Sequence, residues 1–382
     1  MKRKVAIIDT LGAHGGAFHL YTFGQSIGLI NSSVDVSIYT NNETTNPKIK
    51  GLNFFRFYKN IFTSRSKLMN GIKWILGSIL SVFHARLSGV SIFHFHIFYI
   101  NILVLFNLLL VKLVFGKIVL TIHDVRSLSH SSESSILRNM IYKLTDLLLT
   151  HNEFSKSEII KINPNLSSSI YIVPHGNYIP FINAKNDKKE SRKRLEISNN
   201  KKVLLFFGMI KKAKGLDVLL HALKDIIKEN PDVLLLIAGK SWENDFSNYQ
   251  SIIDENNLSD YCLLHIRFIP HADVEHYYCA ADLVVLPYTK IYQSGVLMMT
   301  LSYGKPALVS DLPPLKEIVT DMKTAFLFES ENIISLAEKL NSILLNPEKL
   351  EKVRINGEKL INKKYDWDEI GRQTKQVYES LY

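Results

Sequence analysis

At 382 residues the chain exceeds one ordinary core and suits two domains. A hydrophobic content of 46% with 21% charged residues excludes a disordered chain. The formal net charge of +10 implies an anionic partner, and on charge alone nucleic acid, anionic lipid and a phosphorylated substrate all stay open.

Met1-Lys2-Arg3-Lys4 runs into Val5-Ala6-Ile7-Ile8 and Asp9, too short an apolar run for a signal peptide. Short β-branched runs then alternate with longer amphipathic segments, which predicts parallel sheets with crossover helices. Strands are expected at 5–9, 34–39, 92–96, 118–122, 146–150 and 170–173, with helices at 17–28 and 97–115. Segment 97–115 is near the length of a membrane span, but it contains Asn101, Asn107 and Lys112 and is flanked by strand-like runs. It reads as a buried helix packed on a sheet, and the chain is expected to be cytoplasmic. The lysine-rich stretch 183–202 reads as an interdomain connection or an exposed helix start. Strands resume at 203–207, 233–238, 263–268, 283–287 and 306–310. Two successive doubly wound domains follow, with ligands expected at the carboxyl ends of the strands and in the cleft between the domains. The two cysteines, Cys262 and Cys279, lack metal-ligand spacing and read as buried reduced thiols.

Three loops at strand ends are candidates for chemistry. The first, Thr10-Leu11-Gly12-Ala13-His14-Gly15-Gly16-Ala17, opens a helix whose N-terminus favours anions, but its spacing is not the dinucleotide fingerprint. The second runs from Gly208 through Lys211, Lys212, Lys214 and Gly215, and its lysines suit neutralisation of a leaving diphosphate. In the third, Gln293-Ser294-Gly295-Val296 follows a strand, and Ser294 and Gly295 would open a helix with free amides for phosphate oxygens. Taken singly, a tight turn, a solvated basic turn and an ordinary capped helix explain these loops as well.

In order along the chain, Phe207-Gly208 through Lys214-Gly215-Leu216-Asp217, Ala280 through Tyr288, Ser294-Gly295-Val296-Leu297, Gly304-Lys305-Pro306 and Glu317-Ile318-Val319 resemble family 4 glycosyltransferases. The Gly15-Gly16-Ala17 loop, the Thr121-Ile122-His123-Asp124 strand end and the tail from Tyr365 to Ile370 are similar to that family too. The resemblance covers nearly the whole chain. It implies the α/β GT-B architecture, two Rossmann-like domains facing across a cleft. Residues 1–182 would form the acceptor-binding domain and 183–365 the nucleotide-sugar-binding domain, with a C-terminal helix at 366–382 packing back toward the first domain.

The resemblance implies Lys211 and Lys214 as catalytic cations on the diphosphate, and His123 near the donor sugar. Asp124 would orient His123 or, in an inverting enzyme, accept the acceptor hydroxyl's proton. Donor binding would fall to Gly15, Gly16, Gly208, Gln293, Ser294, Gly295, Val296 and Glu317, the last beginning a helix and facing a ribose diol. His14 would touch the acceptor, and His175 would line the interdomain cleft. The chain departs from the family where an arginine is replaced by Met209 and where two glutamates are replaced by Ile291 and Met299. It therefore looks like a divergent bacterial branch.

No acidic cluster suggests a metal, so no metal and no cofactor is expected. Asp366-Trp367-Asp368 reads as a helix cap, with Glu369 completing a capping box. Between Phe54 and Arg86, six basic residues (Arg56, Lys59, Arg65, Lys67, Lys73 and Arg86) interleave with Phe55, Phe57, Trp74, Ile75 and Leu76. That mixture suits an anionic membrane surface, a partly solvated helix being the plainer reading, and no nucleic-acid fold signature accompanies it.

The expected activity is transfer of a hexose-type sugar from a UDP- or GDP-sugar to a lipid-linked glycan in bacterial surface polysaccharide biosynthesis. Family membership implies retention of configuration, and the enzyme would sit peripherally at the inner face of the cell membrane. A non-catalytic GT-B-like subunit partnering another glycosyltransferase and a sugar-nucleotide epimerase are the rivals.

Overall fold

The computed structural model describes residues 3–126, 134–182 and 187–382. Met1, Lys2 and the start of the polar stretch, 183–186, lie outside the described residues. The chain divides into two units, Met1–Gly176 with Tyr365–Tyr382, and Asn177–Lys364.

The first unit runs β1 Lys4–Asp9, α1 Phe18–Asn31, β2 Asp35–Asn41, β3 Leu52–Tyr58, α2 Lys67–Leu87, β4 Ile92–Ile97, α3 Ile102–Leu113, β5 Lys117–Ile122, α4 Ser135–Leu144, β6 Leu147–Thr150, α5 Glu153–Ile162 and β7 Ile170–Ile172. Its parallel sheet has the order β3-β2-β1-β4-β5-β6-β7. Crossovers between parallel strands are right-handed. The steps from β3 to β4, β5, β6 and β7 all run one way across the sheet, so α2, α3, α4 and α5 cover one face. The step from β1 to β2 runs the other way and places α1 on the opposite face.

The second unit runs α6 Lys188–Arg194, β8 Lys202–Phe207, α7 Leu216–Glu229, β9 Val233–Ala238, α8 Ser247–Glu255, β10 Cys262–His265, α9 His271–Ala280, β11 Leu283–Leu286, α10 Gly295–Ser302, β12 Ala307–Ser310, α11 Pro313–Lys316, β13 Phe326–Phe328, α12 Ile333–Leu344 and α13 Pro347–Lys364. Its sheet is parallel with the order β10-β9-β8-β11-β12-β13. The last helix, α14 Trp367–Glu379, returns to the first unit and packs on α1. Gly28 and Gly371 permit that approach, since a Cβ on Gly371 would lie 2.1 Å from the Gly28 carbonyl.

Hydrophobic spacing explains the helices. On α7, Leu216, Leu219, Leu220, Leu223 and Ile226 form one buried stripe over the second sheet. Each such side chain contributes about 1.5–3 kcal/mol when fully buried. Strand interiors such as Val203-Leu204-Leu205 and Val284-Val285 are buried on both faces, as parallel strands covered by helices must be.

The structure corrects several expectations. Two strands, β3 and β13, were not anticipated: β3 is an edge strand whose Asn53 and Arg56 point to solvent, and β13 is three residues long. Segment 97–115 is not one helix, because Ile97 ends β4 and Asn101 caps α3 through the amides of Leu103 and Val104. Its outer side is exposed rather than buried. Cys262 and Cys279 are free thiols only partly covered, and burial raises both, Cys262 to about 12. Asp366 caps α14 by accepting from the Asp368 amide at 2.9 Å, but no capping box is formed: Glu369 binds Gln373 and Arg372 instead.

Candidate functional site

Each sheet has a switch point where chain order reverses, β1 beside β4 and β8 beside β11, and ligands of such sheets bind beyond the carboxyl ends there. In the second unit the loops after β8 and β11 meet. Gly215 adopts φ +64°, and a Cβ there would sit 1.8 Å from the Pro287 carbonyl oxygen, so only glycine fits the crossing of the two loops. The Thr289 amide donates to the Ala213 carbonyl at 3.1 Å, locking the loops together. The Lys214 ammonium lies 3.8 Å from the centroid of the Tyr288 ring, a cation–π contact. Tyr288 is buried, which raises its phenol.

Ser294 is the N-cap of α10, accepting from the Leu297 amide at 3.1 Å, and its hydroxyl also donates toward Tyr288 at 3.4 Å. The side chain is buried, so it serves the helix rather than facing outward. The first-turn amides of Gly295 and Val296 precede the helical ladder. Val296 lies beside Gly208, its Cγ2 3.3 Å from where a Cβ would stand. Gly208, Lys214, Tyr288, Ser294, Gly295 and Val296 thus share one neighbourhood, with a cation and a helix N-terminus on it. Lys211 precedes the single turn Lys212–Lys214 at the same strand end, and Gln293 is partly exposed just before the cap. Met209, in the arginine's place, is 47% exposed.

Glu317 stands elsewhere in its secondary structure than expected. It follows α11 as the C-cap instead of beginning a helix, because Pro313 and Pro314 start that helix four residues earlier. A carboxylate at this end gains nothing from the helix dipole. Ile291 and Met299 are both buried. Asp282 supports the site from below: it accepts from the Val203 amide at 2.7 Å and pairs with the buried Arg192 at 2.8 Å and with Lys188.

In the first unit Asp9 closes β1. It is buried, accepts from the Gly12 amide at 2.8 Å and the Thr22 hydroxyl at 3.2 Å, and burial raises its carboxyl to about 6. It therefore anchors the glycine loop, whose short turn Gly12–Gly15 leads through Gly16 into α1. His14 stands partly exposed on that turn, 2.9 Å from Glu43 and stacked on Phe62 at 3.8 Å.

His123 is not alone. The strands β4 to β7 each deliver a histidine at or just beyond the carboxyl end: His96, His123, His151 and His175. Ring centroids along this row are 5.4, 4.8 and 5.5 Å apart, close to the inter-strand spacing that generates them. His94, two residues before His96 on the same strand face, stacks on it at 4.7 Å and bonds Thr121 and Tyr378 at 2.7 and 2.6 Å. Tyr21 from α1 packs against His96, His123, His151 and His175.

The tautomers in this row follow from one end. His151 Nδ1 donates to the Val173 carbonyl at 2.9 Å, so its Nε2 accepts, at 3.1 Å, from His123 Nδ1. His123 Nε2 then accepts from His96 Nδ1 at 3.2 Å. His96 Nε2 faces the atom placed as Gln25 Oε1 at 3.0 Å, where the chain of donors leaves it an acceptor. With three neutral rings, Gln25 must present its NH2 there; its oxygen in that place would require one additional proton on the row. Burial, and then the neighbouring histidines, lower His96 and His123 well below the ordinary range. Burial lowers His94 and His175 to about 3 and His151 to about 4, so the neutral arrangement prevails. His123 consequently has both ring nitrogens engaged and is buried, and Asp124 follows it partly exposed. The row was missed in sequence; the signal was His-x-His in β4 and a histidine after each of the next three strands.

Among the described residues no group of three or more His, Cys, Asp or Glu is placed to hold a metal ion. The aromatics expected to face a membrane are turned inward: Phe55 and Phe57 pack on Tyr39 and His84, and Trp74 packs on Tyr58.

Residues 187–360 match the family model described as Glycosyl transferases group 1. Spore coat protein SA of Bacillus subtilis (strain 168) is 26% identical over 202 residues, 50% of this chain and 52% of that protein. Phosphatidyl-myo-inositol mannosyltransferase of Mycobacterium leprae (strain TN) is 27% identical over 185 residues, 47% of each. The chain thus spans about half the length of these relatives. Among solved structures, Anabaena Alr3699/HepE in complex with UDP and glucose superposes with a TM-score of 0.76 at 16% identity, over 99% of this chain and 100% of that one. The fold is GT-B, and residues 187–360 resemble the group 1 glycosyl transferases.

Proposed function

We propose that this chain moves a hexose-type sugar from a UDP- or GDP-sugar to a lipid-linked glycan, with retention of configuration, in bacterial surface polysaccharide assembly. The observation that carries the reading is the meeting of Lys214, held over Tyr288, with the Gly295 helix start at the switch point of the second sheet. A diphosphate lying there would meet a cation and the positive end of a helix dipole where leaving-group charge develops. Lys211, one turn earlier, would add a second cation. This charge compensation needs no metal ion. The family match over 187–360 supports a donor site in the second unit, and the relative named as a phosphatidyl-myo-inositol mannosyltransferase supports a lipid-linked acceptor for the first. The enzyme would work in the cytoplasm, peripherally at the inner face of the cell membrane.

The buried Ile291 and Met299, where carboxylates were expected, favour a second reading, a non-catalytic subunit that binds the nucleotide sugar without turnover. Labelled UDP- and GDP-sugars incubated with the pure chain, with and without membrane extract and with excess chelator, separate the cases. Acceptor-dependent transfer that survives the chelator supports the proposal. Binding without turnover supports the subunit, acceptor-free isomerisation would mean an epimerase, and strict divalent-ion dependence would overturn the metal-free step.

A further inference from the structure

We infer that the outer surface of the α2–α3–α4 layer docks on an anionic lipid bilayer; the inference rests on the lipid-linked acceptor proposed above and locates the surface that would bring the chain to it. The three helices lie side by side on one face of the first sheet, α3 touching both neighbours. Their inner sides are tied down: on α2, Val82 and Ala85 are buried, and a Cβ on Gly77 would sit 2.7 Å from the Tyr58 ring. Among the described residues α2 is the one helix long and apolar enough to cross a bilayer, but this attachment makes it a helix that lies along a surface.

The outer sides are apolar from end to end. Leu68, Leu76, Leu80 and Leu87 mark one stripe over the 21 residues of α2, about 31 Å long, and Leu87 is 88% exposed. On α3, Ile102, Leu109 and Leu113 repeat the stripe, and Phe115 just beyond is 89% exposed. Ile136 and Met140 continue it on α4. Scattered apolar residues on a surface are ordinary; a sheet of them across three adjacent helices marks an interaction site.

Charge selects the occupant. From Thr44 to His123 the chain has ten Lys and Arg and no Asp or Glu, whereas the remainder carries 36 of each sign. The whole net charge of +10 therefore arises in the segment that builds α2 and α3, with α4 lying beyond it. Arg65 and Lys67 at the start of α2, and Arg86 at its end, are exposed. Asp146 pairs with Lys112 and Lys117, whereas Arg65, Lys67 and Arg86 border the apolar face at the two ends of α2, and an apolar face flanked by such cations fits acyl chains below anionic headgroups. A second copy meeting this face with the same face would need complementary acids that the segment does not supply.

The test is flotation of the full chain with vesicles of phosphatidylcholine alone or with 30% phosphatidylglycerol. Binding to the mixed vesicles, weakened at least tenfold by high salt, by L76E/L80E and separately by R65E/K67E, is expected, with circular dichroism and melting unchanged. Both variants lie on exposed positions, so loss of fold in one leaves the other decisive. No binding at low salt, or undiminished binding by both variants, overturns the inference. A dimer in lipid-free solution that L76E/L80E dissociates also overturns it, since the face would then join two copies. Because flotation uses no sugar nucleotide, its failure leaves transfer to a detergent-solubilised acceptor to be judged separately.

Discussion

The histidine row makes stability depend on pH in a calculable direction. His94, His151 and His175 are held neutral in the folded chain, at about 3, 4 and 3, against 6.5 when unfolded. Their stabilising contribution is complete above pH 6.5 and is lost as pH falls, because the unfolded chain takes up protons that the folded chain refuses. At pH 5 all three folded values are still below the solution pH, so the loss depends only on the unfolded value: about 2 kcal/mol per histidine, roughly 6 kcal/mol for three. Asp9 acts oppositely. Its folded carboxyl is raised to about 6 from 3.8, so folding gains a proton as pH drops through 6, returning about 1 kcal/mol at pH 5. His96 and His123 are lowered as well and add to the loss. Between pH 7.5 and 5 the first unit should therefore lose at least about 4 kcal/mol. Urea unfolding followed by tryptophan fluorescence reads this, Trp367 being buried in that unit against Tyr21. In His94→Gln the unit should start less stable at pH 7.5 but lose about 2 kcal/mol less on acidification. Equal acid sensitivity in both proteins, or a flat wild-type profile, would refute the neutral row.

Three further outcomes concern the second unit. Lys214→Ala should weaken UDP-sugar binding by calorimetry roughly 10- to 100-fold, the worth of about one charge-assisted contact, with Lys214→Arg intermediate; unchanged affinity would remove Lys214 from the site. Gly215→Ala should cost about 1–2 kcal/mol in backbone strain before the clash with Pro287 is counted, lowering the melting temperature of its unit by about 4 °C or more. Arg192→Met leaves Asp282 without its buried partner and should cost about 3 kcal/mol, and adding Asp282→Asn should restore part of that; an additive double variant in chemical denaturation would contradict the pairing.

How far the sequence discloses this molecule depends on the range of the interaction. Strands such as 233–238 and the cap at Ser294 are written in adjacent residues, and their positions in the structure agree with the pattern. β3 escapes because its exposed Asn53 and Arg56 interrupt the apolar run, and neighbours on β2 decide it. Glu317 is misjudged because a carboxylate before Ile318-Val319 resembles a helix start, whereas the proline pair upstream fixes the turn. The histidine row is the clearest case. Its members are spread over 82 positions of sequence, from His94 to His175, and only the order of β4, β5, β6 and β7 brings them to neighbouring strand ends. Likewise the outward stripe of α3 looks in sequence like the inside of a core helix, since Leu108 and Leu109 are the same residue type with opposite burial.

The buried Met299 says why this chain cannot rely on the carboxylates that the resemblance leads one to expect. Met299 is 6% exposed on α10, and the preceding Met298 and Leu297 are fully enclosed. A glutamate side chain at 299 would be desolvated there, and a carboxyl raised by several units costs about 4 kcal/mol to keep ionised at pH 7. Ser294 cannot take the role either, since its hydroxyl is committed to Leu297 and Tyr288. On the proposed donor site, recognition would fall to groups fixed by backbone geometry, the Gly295 and Val296 amides, together with Lys214 and the partly exposed Gln293. Met299→Glu should accordingly destabilise the second unit by about 4 kcal/mol at pH 7, less at pH 5, with no gain in donor affinity. If the variant instead keeps its stability and binds UDP-sugar more tightly, the site retains a place for that carboxylate, and α10 would have to be regarded as adaptable rather than committed to the core.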